Sequence, residues 1–91
     1  MIKYKSQELV FVRLCVDERL VPQLTEIPLG FRQKISKVKG ETIVDVDMYL
    51  TVDFVQWIQG MGSSVEVIHP PEFRELIRQE LEQTIHQYRL V

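Results

Sequence analysis

The chain has little of what small folds use for covalent or metal support. Cys15 is its one cysteine, so no disulfide can close within it and no CxxC-type metal site can form. That fits a reducing compartment, and the expected location is the cytoplasm. His69 and His86 are its only histidines, and a helix-length segment separates them, which is not ligand spacing. No cofactor is expected. No stretch approaches the ~20 apolar residues of a membrane span. The opening "MIKYKSQELV" also lacks an apolar run long enough for a signal peptide, so neither secretion nor membrane association is expected. Strong charge of one sign is missing too. A formal net charge of -2 gives no basic field of the kind that grips phosphates, which argues against direct DNA or RNA binding by this chain.

What is present is ordinary for a globular protein. With 91 residues, 45% hydrophobic and 26% charged, the chain can support one core and no second, so a single domain over 8–91 is expected after a tail or linker end at 1–7. The run "LVFVRLCV" is β-branched and aromatic. Val10, Val12, Leu14 and Val16 make one apolar face and Arg13 interrupts the other, which predicts a central strand. Asp17 can cap a short helix that tolerates Pro22 only in its first turn, with Pro28 limiting its extent.

"FRQKISKVKGETIVDVDMYL" reads as a hairpin around Lys39-Gly40-Glu41. Parity then puts Phe31 and Ile35 on the core face with Val44, Val46, Met48 and Leu50. Arg32, Lys34, Asp45, Asp47 and Tyr49 collect on the other. A Lys39-Gly40 loop would set Lys34 opposite Asp45 and Arg32 opposite Asp47, pairs worth roughly 0.2–1 kcal/mol each when exposed.

Thr51 is the expected N-cap of a helix over "VDFVQWIQGMG", with Asp53 in its first turn and Gly60 or Gly62 ending it. "SSVEVIH" predicts a short fourth strand with Val65 and Val67 inward. Pro71 then opens the best-patterned helix, in which Phe73, Leu76, Ile77, Leu81, Thr84, Ile85 and Tyr88 share one side. The order strand, helix, strand, strand, helix, strand, helix predicts an α+β fold: a ferredoxin-like βαββαβ antiparallel sheet with an extra C-terminal helix. Helices would cover one sheet face and leave the other open.

Chemistry is scarce on this frame. Cys15 lies mid-strand without a helix N-terminus or a base beside it, and reads as a packed thiol. Asp45 and Asp47 lack a third oxygen donor for a calcium site, and pairing with Arg32 and Lys34 is the simpler reading. "GMG" lacks the context of a phosphate loop and reads as a helix end. Ferredoxin-like acyl-phosphate hydrolases need an asparagine, and the chain has none. Phe11 and Tyr49 could in principle stack RNA bases, but Asp45 and Asp47 would repel the phosphates. The expectation is a protein that is not an enzyme.

From Tyr49 to Tyr88 the chain resembles the C-terminal extension of bacterial WYL-domain transcriptional regulators, the WCX domain. The likeness rests on the Trp57 helix ending at Met61-Gly62, the "VEVIHP" strand and the closing "PEFRELIRQELEQTIHQY". Upstream, "LVFVRLCVD", "RQKI" and "KGE" are similar to its first strand, second strand and glycine hairpin. The sequence departs from that family where Arg32 precedes Gln33, a place often held by serine. The resemblance implies a regulatory and dimerisation module acting as a homodimer or against the WYL domain of a parent protein. DNA would be contacted only through parent domains outside this chain. Its interface or ligand face would include Arg32, Gln33, Lys34, Asp45, Asp47 and Tyr49. The competing expectation is a stand-alone small-molecule-sensing domain with a polar pocket built on Gln33, Asp47 and Tyr49.

Overall fold

The structure is a computed structural model that describes residues 8–89, so the expected tail over 1–7 lies outside the described residues. Strand β1 (Val10–Val16) is central in a four-stranded antiparallel sheet of order β2-β3-β1-β4. Its alternation puts it there: Val12 and Leu14 are fully buried, and the residues between them face away from the core. Asp17 ends β1 and caps a 3-10 turn over Glu18–Leu20, its Oδ1 accepting from Arg19 N at 2.9 Å. The turn leads into α1 (Val21–Glu26), with Pro22 in the first turn of the helix where a missing N–H costs nothing. Leu24 anchors α1 in the core.

Strands β2 (Phe31–Val38) and β3 (Glu41–Met48) form the expected hairpin. Lys39 and Gly40 have φ of 51° and 84°, the double positive φ of a tight turn matched to the twist of the strands. Lys34 lies opposite Asp45 and Ile35 opposite Val44, as parity requires. Further along, the expectation fails. The ladder slips between Phe31 and Lys34, so Phe31, not Arg32, lies opposite Asp47 and turns to the open face, where it is 56% exposed. The cause is a bulge at Arg32 and Gln33, with Arg32 at φ 53°. Two contacts hold it. Gly30 passes so close to β3 that a Cβ there would lie 2.5 Å from the Asp47 carbonyl oxygen. The Gln33 amide accepts from Leu29 N and donates to Leu24 O, both at 2.8 Å, tying the start of β2 to α1.

Helix α2 (Val52–Met61) begins where Thr51 Oγ1 accepts from Phe54 N at 3.1 Å and ends at Gly62, whose φ is 57°. Residues Gly62–Ser64 form a 3-10 turn, so β4 (Val65–His69) starts after the serines that the pattern had included in it. Helix α3 (Pro71–Arg89) packs along β4, an edge strand. Arg74 Nη1 donates to Val67 O and to Glu66 Oε2, each at 2.7 Å, which satisfies part of that edge. Phe73 is fully buried and stacks on Phe54 at 5.6 Å. Beyond Ile77 the stripe leaves the core, since Leu81, Ile85 and Tyr88 are 46%, 48% and 79% exposed.

Leu24, Leu50, Phe54, Val55, Ile58, Phe73 and Ile77 join Val12, Leu14 and Val16 of β1, Val44, Val46 and Met48 of β3, and Val65 and Val67 of β4 in one cluster. All helices therefore feed a single face of the sheet, and among the described residues none covers the other. Two glycines separate the constraints by sign. Gly30→Ala should lower stability by about 1–3 kcal/mol through overpacking against β3. Gly60→Ala, in α2 with open space around it, should raise stability by about 0.5–1 kcal/mol. Urea denaturation of both variants checks the pair.

Candidate functional site

The open face is built from three adjacent strands whose registers set its rows. Phe31, Asp47 and Phe11 form one row across β2, β3 and β1; Lys34, Asp45 and Arg13 form the next; Ser36, Ile43 and Cys15 the third. The first two rows place charges and rings opposite one another because directly paired residues of antiparallel strands point the same way, and the third carries only small polar and apolar side chains.

Ion pairs run along the middle of the face. Arg13 grips Asp45 with two bonds, Nε to Oδ1 at 2.7 Å and Nη2 to Oδ2 at 3.0 Å. Arg32 Nε donates to Asp47 Oδ2 at 2.8 Å, so the expected pair forms even though the bulge moves Arg32 out of register. Both arginines are well exposed, so solvent screens each pair and neither adds much to stability. Lys34, though opposite Asp45, makes no ion pair among the described residues. Phe11 is flanked on both sides. The Arg13 guanidinium lies 5.9 Å from its ring centre and the His69 ring 5.7 Å away.

The far end of the face is acidic. Cys15 Sγ donates to Glu41 Oε2 at 3.0 Å, and Glu66 faces Cys15 across β1 and β4. The Glu41 hydrogen bond, then partial burial and the two negative charges, push the thiol up to about 11. A thiol held neutral in this way makes a poor nucleophile. Among the described residues, no three His, Cys, Asp or Glu side chains gather in a metal-binding group.

Of the residues singled out from the sequence, the structure places Arg32, Lys34, Asp45 and Asp47 together on the open face. Gln33 is engaged in the turn between α1 and β2, through its bonds to Leu24 and Leu29. Tyr49 lies just past the end of β3 and lines a separate cleft with Phe31 and Trp57. Sequence reasoning missed Arg13 as the partner of Asp45, and Phe31 and His69 as members of the face. A signal for Arg13 existed, as the one charge in an apolar strand. Its partner depended on the β1–β3 register, which local pattern does not supply.

A family model described as the WCX domain matches residues 8–85, which runs from the first described residue through β1 to the last turns of α3. The chain belongs to the WCX domain family. A search of curated proteins gives no match. The WCX match takes in every strand, the bulge and the whole open face, so that face is part of the family domain and not an addition to it.

The acidic end of this WCX domain gives a pH-dependent prediction. At about pH 8 only a very small fraction of Cys15 is thiolate, so iodoacetamide should label the folded chain at least about tenfold more slowly than the unfolded chain. The rate should keep rising as pH approaches the thiol's value of about 11. Glu41→Ala removes the acceptor together with its negative charge and should speed labelling at neutral pH, measured by mass spectrometry.

Proposed function

We propose that this WCX domain is a non-catalytic regulatory and dimerisation module of a WYL-type bacterial transcriptional regulator, working in the cytoplasm. In that arrangement DNA binding and signal sensing belong to a helix-turn-helix domain and a WYL domain of the parent protein. The fold in this reading is the ferredoxin-like split βαβ with an added C-terminal helix. The antiparallel order β2-β3-β1-β4, with α1 and α2 each linking strands separated by another, supports it. The observation that carries the function is the family match together with a sheet face that no described helix covers.

That face suits a protein partner. Phe11 and Phe31 are about half exposed and sit on either side of Asp47, with the Arg13–Asp45 and Arg32–Asp47 pairs beside them. Aromatic and arginine side chains are the types enriched where partners bind. A second copy covering this face would bury the rings together with the paired charges between them, so that no carboxylate is covered without its arginine. The non-catalytic part of the reading is supported by the neutral Cys15 thiol and by His69, which packs on Phe11 instead of a nucleophile. No described helix is long and apolar enough to cross a membrane.

Light scattering over a concentration series tests the reading. The wild-type mass should climb toward that of a dimer. Phe11→Asp and Phe31→Asp should each hold the chain as a monomer without lowering its melting temperature. A wild-type chain that stays monomeric at every concentration and does not associate with the parent's WYL domain would contradict it.

A further inference from the structure

Apart from the open sheet face, the ends of β2 and β3 enclose a cleft of about 360 Å³ against α2. Phe31, Tyr49 and Trp57 bring aromatic surface to it, and Gly30 and Met48 line it where β2 crosses β3. Asp53 is the one charged side chain among the residues lining it. We propose that this cleft binds a small quaternary ammonium ion, held by aromatic faces and the Asp53 carboxylate.

The walls are pre-organised. Trp57 stacks on Phe54 at 6.0 Å, and Phe54 stacks in turn on the fully buried Phe73 at 5.6 Å, so the tryptophan is braced against the core. Phe31 lines the cleft from the start of β2, where the bulge turns it away from the core; a regular β2 would have turned it inward. Tyr49 is 46% exposed and so has a ring surface available to a ligand.

Charge selects the occupant. No lysine or arginine lines the cleft, and the nearby Arg32 is held on Asp47. Asp53 makes no ion pair among the described residues, so its carboxylate is left to meet a cation from solution. An anion would be repelled by Asp53. A neutral apolar molecule would gain from the rings but nothing from the carboxylate. A methylated ammonium head gains from both, because the electron-rich ring faces attract a weakly hydrated cation. The volume lies near the lower end of small-ligand pockets, which fits a compact head group and not a large cofactor.

Trp57 is the only tryptophan, so its fluorescence reports on the cleft directly. Choline is the probe, and 3,3-dimethylbutan-1-ol, its neutral isostere, is the control. Choline should shift the emission saturably and bind about tenfold more tightly than the isostere. Asp53→Asn and Tyr49→Leu should each weaken choline several-fold while far-ultraviolet circular dichroism stays unchanged, since both side chains are exposed. Equal binding of choline and its isostere would overturn the proposal by showing an apolar groove only. So would the absence of a saturable choline response, or full binding by both variants. Because Phe31 belongs to both surfaces, choline is titrated at a chain concentration where light scattering gives the monomer mass, which keeps these outcomes separate from those of the dimer test.

Discussion

The two side-chain hydrogen bonds of Gln33 are the constraint on which the functional surface depends. By joining Leu24 O to Leu29 N, the amide fixes the turn between α1 and β2 at a point where backbone groups would otherwise lack partners. Gly30 then lies flat against β3, and the chain must take up an extra residue before the hairpin register begins. That extra residue is the bulge at Arg32, and its consequence is a change of side for Phe31. One ring moves from the expected core to the surface, where it both joins the open face and walls the cleft beside Tyr49 and Trp57.

Stability and specificity come from different parts of the molecule. Burying one side chain such as Leu14 is worth about 1.5–3 kcal/mol, whereas the solvent-screened Arg13–Asp45 and Arg32–Asp47 pairs add little. Losing either pair would leave the fold intact. What the pairs do is arrange a face: they fix the Arg13 and Arg32 guanidinium groups beside Asp45 and Asp47, neutralise those carboxylates, and leave Phe11 and Phe31 as its exposed apolar points. The β4 edge, by contrast, is flanked by α3 and partly satisfied by Arg74, which makes it a poor template for strand pairing.

Much of the fold could be read from the chain because its local signals agree with one another. Asp17, Thr51, Gly40, Gly62 and Pro71 each stand where a cap or turn needs that residue type, and alternation in β1 and β3 marked the core side correctly. The site was only partly legible. Lys34, Asp45 and Asp47 fall on the predicted face because a Lys39-Gly40 turn fixes parity near itself, whereas Arg32, in the bulge, reaches that face through its bond to Asp47. Parity carries no information past a bulge, so Phe31 was placed on the wrong side. The Arg13–Asp45 pair required knowing that β3 neighbours β1, which is decided by the packing of α1 and α2 on one face and not by any short stretch of sequence. Gln33 looked like a pocket residue because its role lies in a backbone turn that a side-chain pattern does not reveal.

If the open face of this WCX domain is where a second copy binds, the two copies must meet at its rings. Isotope-filtered nuclear Overhauser spectroscopy on a mixture of labelled and unlabelled chains tests this most directly. Intermolecular contacts are expected at the rings of Phe11 and Phe31. Intermolecular contacts confined to Leu81, Ile85 and Tyr88 on the projecting end of α3, with none on the sheet face, would contradict it.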